Sequence, residues 1–207
     1  VFEILNMDMK PYPCCRSAHC AIDGILEIRE QMEARLGLKI RNMSEAEILA
    51  EQIQAIEIDT YLVGYKQCAV SDGCLHPKTV LDAKFSTPYS AAAAFLYGTV
   101  GMEQFEPEVV FDPAVQNLLE RVAVRSADRF TGQYPKHWGC HVKVTMQDGA
   151  VYESEVEDPS GSVARPLSRN QAMKKAEEFL SVVCPGREQK TIVELLNLES
   201  REQLPII

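Results

Sequence analysis

The stretch KPYPCCRSAHCAIDGILEIREQMEARLG, residues 10–37, decides how the rest of the chain is read. Pro11 and Pro13 forbid a helix at its start, because proline lacks an amide proton and pushes the residue before it towards extended backbone. From about Ser17 the pattern changes. Ala18, Ala21, Ile22, Ile25, Leu26, Ile28, Met32 and Leu36 recur at helical spacing, and Gly37 supplies the stop. The predicted local structure is an extended strand or strap over residues 1–10 that runs, past the prolines, into the N-terminus of an amphipathic helix.

The same stretch concentrates positive charge. Lys10, Arg16 and His19 fall within ten residues, at a junction where free backbone N–H groups and the helix dipole already favour anions. The chain as a whole is acidic: 21 Lys and Arg against 30 Asp and Glu give a net charge of -9. Its average surface therefore repels phosphate backbones and anionic lipid, which argues against a nucleic-acid partner. A local cationic focus in such a protein is what a carboxylate or phosphate ligand requires. The competing reading leaves Lys10 and Arg16 solvated and His19 a satisfied structural histidine.

A chain of 207 residues suffices for one large domain or two small ones. With 46% apolar and 25% charged residues its composition is globular and argues against long disorder. The longest apolar run, residues 91–97, is far below the ~20 residues of a membrane span, so neither a transmembrane segment nor a membrane partner is expected. Seven cysteines, two of them adjacent, cannot all pair within one chain; without a secretion signal ahead of them they read as free thiols of a reducing, cytoplasmic compartment. Val1 in place of an initiator methionine suggests part of a longer polypeptide.

Beyond the first helix, Ser44 and Glu47 predict a capped helix ending near Gln54. Ile56, Ile58, Thr60 and Leu62 then alternate with Glu57, Asp59 and Tyr61 as in a half-buried strand. Residues 64–77, with Gly64, Gly73, two cysteines and His76, read as a loop with Tyr65 at its mouth. An Ala-rich segment over residues 78–97 is closed by Gly98, and Pro88 either lies in a first turn or divides it. Asp112-Pro113 open another helix, Val122 and Val124 start a strand, and Asp148-Gly149 between two alternating runs predicts a hairpin over residues 141–156. The Gly, Ser and Pro-rich residues 159–166 are the candidate boundary. Ser168 with Gln171 caps a helix through Val183, and a last helix covers about residues 188–196. With few regular crossovers and one clear hairpin, this order predicts an α+β fold, a two-layer α/β sandwich followed by C-terminal helices.

Two further chemistries compete with anion binding. Cys14, Cys15, Cys20 and His19 form one group of potential zinc ligands and Cys68, Cys74 and His76 another, but adjacent cysteines and a pair six apart do not match the two-to-four residue separations of zinc knuckles. No metal is expected. Tyr65, at a strand end, can present a hydroxyl to a cleft as donor or acid, or simply pack as an aromatic.

KPYPCCRSAHCAID, the later HPKTVLDAKFSTPYSAAAAFLYG, then FDPAVQNLLERV, the QDG hairpin and the ARPLS segment before a Lys-rich helix resemble successive landmarks of the MmgE/PrpD family. That family includes 2-methylcitrate dehydratase, cis-aconitate decarboxylase and iminodisuccinate epimerase. The resemblance implies that residues 1–160 form an α+β domain lining an active-site cleft, and that residues 161–207 are helices packing on a helical N-terminal domain absent from this chain. It implies a cofactor-independent lyase or isomerase acting on small di- or tricarboxylates by dehydration or decarboxylation, with Lys10 and Tyr65 catalytic and His19 and Arg16 substrate-binding. The partners it implies are a polycarboxylate substrate, the N-terminal helical domain and further copies of the chain in a homo-oligomer such as a dimer. A non-catalytic module of the same fold, binding an anion or a protein, is the alternative. Phe179, Leu180, Leu195 and Leu196 are expected to be exposed where the helical domain is missing.

Overall fold

A computed structural model describes residues 3–197 of the chain. They fall into two units: residues 3–11 with 161–197, and Tyr12–Ser160. The chain passes between the units at two peptide bonds, Pro11-Tyr12 and Ser160-Gly161.

The second unit begins with a short 3-10 turn, Arg16–Ala18, that continues into α1, His19–Leu36. It continues through α2 (Met43–Glu51), β1 (Ile53–Thr60), α3 (Leu62–Cys68), α4 (Asp72–Leu75), α5 (Val80–Lys84) and α6 (Thr87–Tyr97). After these come α7 (Pro107–Val110), α8 (Pro113–Leu119), β2 (Val122–Ser126), α9 (Asp128–Thr131), β3 (Cys140–Met146) and β4 (Val151–Val156). The strands form one sheet in the order β2-β1-β3-β4. β2 lies parallel to β1, while β1, β3 and β4 are antiparallel neighbours. This is an α+β fold.

The sheet is two-sided in chemistry because its strands alternate. Ile56, Ile58, Val142, Val144, Tyr152 and Val156 point into the core. On the other face Arg125 bridges Glu57 at 3.1 Å and Asp59 at 3.2 Å, and Arg129 bridges Glu155 at 2.8 Å. Helices α1 and α6 cover the apolar face, with Ile22, Ile25, Ile28 and Met32 of α1 fully buried. The two helices are also joined by a buried cation. The Arg29 guanidinium of α1 donates to the Phe95 carbonyl, to the Leu96 carbonyl at 3.1 Å and to the Ile40 carbonyl at 3.2 Å. It thereby satisfies carbonyls that the end of α6 would otherwise leave orphaned.

Several sequence expectations shift for local physical reasons. The cap of α2 is Asn42, which accepts from the Glu45 amide at 3.0 Å while Glu45 accepts from the Arg41 amide at 2.7 Å; the box sits two residues before the Ser44-Glu47 pair. The strand ends at Thr60, and Leu62 opens α3. Residues 64–77 are largely helical, not a loop, and Tyr65 lies within α3. Gly64 serves packing inside that helix, since a Cβ there would meet the Tyr61 ring at 2.8 Å. The Ala-rich segment divides in two, with Ser86 capping α6 and Pro88 in its first turn.

In the first unit, residues 3–6 form a 3-10 turn. The Met9 amide donates to the Gly161 carbonyl at 2.8 Å, and the Val163 amide donates to Asp8 Oδ1 at 3.1 Å. Gly161 has φ +77°, and a Cβ there would meet the Met9 carbonyl oxygen at 1.9 Å, so this position requires glycine on both counts. Ser168 and Gln171 cap α10 (Arg169–Val183) reciprocally, and α11 follows (Glu188–Leu196). Leu180 is buried against Cys184 and Ile192, contrary to its expected exposure; Phe179, Leu195 and Leu196 are exposed. Among the described residues, no helix is long and apolar enough to cross a membrane.

Helix α1 packs tightly on the sheet at Gly24, where a Cβ would meet Val142 Cγ2 at 2.7 Å. Alanine at this helical site gains about 1 kcal/mol of propensity, but overpacking a core costs about 1–3 kcal/mol. We expect Gly24→Ala to lower the urea midpoint of unfolding; a raised midpoint would show that the sheet yields freely.

Candidate functional site

The basic segment singled out in the sequence is built around the first turns of α1. Asp23 is 4% exposed, and a carboxylate so deep must be compensated by hydrogen bonds. The Tyr12 hydroxyl donates to Asp23 Oδ1 at 2.6 Å, and the Ser160 amide donates to Asp23 Oδ2 at 2.7 Å. Tyr12 and Ser160 are the residues at which the second unit begins and ends. One carboxylate therefore clasps both ends of that unit.

Arg16 reinforces the clasp. Its Nη1 donates to the Ser160 carbonyl at 2.9 Å and meets His19 Nδ1 at 3.2 Å. A guanidinium can only donate, so Nδ1 must accept and the imidazole proton resides on Nε2. The His19 ring is fully buried, with the Tyr12 ring set edge-on to it at 5.1 Å and 72°. Arg16 and His19 are thus brought together on successive turns, as their i, i+3 spacing allows.

A second chain of hydrogen bonds joins this segment to α3. The Tyr61 hydroxyl donates to Ser17 Oγ at 2.9 Å, and Ser17 Oγ donates to Gln67 Oε1 at 2.9 Å. Burial pushes the Tyr61 phenol well above its ordinary pKa, which keeps it a donor. Its ring stacks on Tyr134 at 4.8 Å and 8°. Tyr65, one turn further along α3, is half-buried, and its amide donates to the Tyr61 carbonyl at 3.0 Å. Lys10 is exposed and belongs to the first unit, whereas Arg16, His19 and Tyr65 belong to the second.

Neither cysteine-rich group singled out in the sequence forms a metal cage. Among the described residues, the one cluster of three potential ligands is His137, Glu157 and Asp158. His137 Nδ1 lies 2.8 Å from Asp158 and 3.7 Å from Glu157, an arrangement explained by an imidazole–carboxylate pair. What the sequence reading missed was Asp23, Tyr61 and the Tyr12–Ser160 clasp. Asp23 did carry a signal: it is a carboxylate between the buried Ile22 and Ile25, and a charge in such company needs partners.

The clasp has a measurable strength. Hydrogen bonds to a buried carboxylate contribute about 1.5–3 kcal/mol each, so Asp23→Asn, which replaces one acceptor by a donor, should destabilise the protein by about 1–3 kcal/mol. Tyr12→Phe should cost about 1 kcal/mol and far less in the Asp23→Asn background. Strict additivity in that double-mutant cycle, read by chemical denaturation, would contradict the assigned contact.

Comparison with known proteins covers most of the described chain. The family model for the MmgE/PrpD C-terminal domain matches residues 12–199. The cis-aconitate decarboxylase-like protein oryM of Aspergillus oryzae is 28% identical over 126 residues, covering 60% of this chain and 26% of that protein. Cis-aconitate decarboxylase of Mus musculus is 23% identical over 132 residues, covering 63% of this chain and 27% of that protein. The matched part of the chain thus spans about a quarter of the length of these relatives. With all of the second unit and both α-helices of the first inside the matched span, the chain belongs to the MmgE/PrpD family through its C-terminal domain.

Proposed function

We propose that this chain supplies one wall of the active site of a cofactor-independent lyase acting on a small di- or tricarboxylate. The observation that carries the reading is the clasp at the head of α1, where Ser160, bonded to Asp23, fixes Arg16 beside His19, in a chain of this family whose net charge is -9. Only a focused positive field attracts a polyanion to so acidic a protein. The names of the two relatives favour decarboxylation over dehydration.

In such a reaction the bond to a departing carboxylate breaks and carbon dioxide leaves. The electron pair passes into the carbon framework next to a second carboxylate and is then quenched by a proton. Charge grows on the remaining carboxylate as the bond breaks, so a cation aimed at it stabilises the transition state more than the ground state. Lys10 takes that role. Arg16 adds positive charge, and His19, with its proton on Nε2, serves as a hydrogen-bond donor and not as a base. Tyr65 delivers the proton, or, in a dehydration, donates to the leaving hydroxyl.

The helical N-terminal domain of the family completes the site, in the same chain or another. The exposed Phe179, Val182, Val183 and Leu196 on α10 and α11 support a partner for these helices, whether that domain or a second copy in a homo-oligomer.

The test pairs this chain with the N-terminal domain and screens cis-aconitate, citrate, 2-methylcitrate and iminodisuccinate for turnover. On the substrate that turns over, Lys10→Ala should lower kcat/KM by about 10²–10³-fold, and Tyr65→Phe should lower kcat by about 10²–10⁴-fold. Turnover and affinity unchanged in Lys10→Ala would overturn the assignment. Binding of these acids without turnover of any of them would favour a non-catalytic module.

A further inference from the structure

The second unit holds a cavity that the proposed chemistry does not use. It lies between α2, the end of α6 and α8 and has a volume of about 440 Å³, within the range of about 300–1,000 Å³ of small-molecule sites. Its lining includes none of Lys10, Arg16, His19 and Tyr65. The apolar part of that lining contains Ala50, Leu96 and Leu118, all buried. The polar part carries both signs of charge. Arg121, which follows α8, is a guanidinium already oriented. Its Nη1 donates to the Ala50 and Ile53 carbonyls at 2.9 Å each and lies 3.5 Å from the Glu51 carbonyl oxygen. The Ile56 amide donates to its main-chain carbonyl at 2.9 Å. A guanidinium has five N–H groups, so those on Nε and Nη2 remain, among the described residues, for a ligand. Nε and Nη2 share one edge of the planar group, the fork that takes a carboxylate by two parallel hydrogen bonds.

The opposite charge comes from two other elements. Asp112 caps α8 through Oδ1, which accepts from the Ala114 amide at 2.8 Å. Glu47 on α2 is half-buried and takes no part in the cap of that helix, which Asn42 and Glu45 provide. Among the described residues, no basic side chain pairs with either carboxylate. Half-buried carboxylates of this kind favour a cation that brings its own hydrogen-bond donors.

We propose that this cavity binds an apolar α-amino acid. The ammonium sits on Glu47 and Asp112, the carboxylate on the Nε–Nη2 edge of Arg121, and the aliphatic side chain against Leu96 and Leu118. Charge selects for this class. Glu47, Glu51 and Asp112 outnumber Arg121 in the lining, which disfavours the di- and tricarboxylates proposed for the basic segment. A simple amine leaves Arg121 unanswered, and a simple carboxylate leaves Glu47 and Asp112 unanswered, so each forfeits binding that the amino acid gains. The inference stands on the cavity alone and does not depend on the lyase reading.

The experiment titrates the purified chain calorimetrically with leucine, with isoamylamine, which lacks only the carboxylate, and with isocaproate, which lacks only the ammonium. Leucine is expected to bind with single-site stoichiometry. Each analogue should bind about tenfold or more weakly, since each loses a set of charge-assisted hydrogen bonds. Leucine should also shift the amide signals of Leu96, Leu118 and Arg121 in a proton–nitrogen correlation spectrum, and excess citrate should not displace it. Glu47→Gln combined with Asp112→Asn keeps a capping residue on α8 and should weaken leucine binding about tenfold or more with the circular dichroism unchanged. The analogue series is read on the unaltered chain and stands whatever the double variant does. No binding of leucine, an analogue bound as tightly, displacement by citrate, or full leucine affinity in the folded double variant would overturn the proposal.

Discussion

A single buried carboxylate, Asp23, holds the two ends of the second unit together at the head of α1. It receives the Tyr12 hydroxyl and the Ser160 amide, while Arg16 grips the Ser160 carbonyl from the other side. A carboxylate at this depth is costly unless every lone pair is served, and removing one partner exposes the full desolvation penalty. The clasp is therefore a constraint and not an ornament: the positions of Arg16 and His19, and the imidazole tautomer, follow from it.

Beneath the clasp, α1 is fixed by what it buries. Gly24 lets it approach Val142, Ile22 to Met32 fill the core, and Arg29 ties it to the end of α6. The polar network at its first turns then reaches α3 through Ser17, Tyr61 and Gln67. Apolar packing and polar networks divide the labour here. Burial supplies stability without direction, and the hydrogen bonds, which are directional, decide which side chains stand at the basic segment.

Much of this architecture was legible in the chain. The helical period from Ala18 to Leu36 and the Asp148-Gly149 hairpin are strong local signals, and both elements form. The α2 cap was misread because Asn42–Glu45 and Ser44–Glu47 satisfy the same spacing, and only the Arg41 amide, which bonds Glu45, separates them. The loop expected over residues 64–77 failed at Gly64, a glycine demanded by the Tyr61 ring and not by a turn. For the candidate site, the sequence placed Arg16 and His19 in one cluster, and their i, i+3 spacing allows the contact that they make. The partners of Asp23 did not, because they lie 11 and 137 residues away and no local pattern reports them.

The most direct test of the clasp is native-state hydrogen exchange at the Ser160 amide, which donates to Asp23 from a segment with no regular secondary structure. If Asp23 holds the ends of the unit as described, that proton exchanges as slowly as the buried amides of α1, through unfolding of the whole unit. Exchange as fast as in the exposed turn at Asp148 would contradict the account.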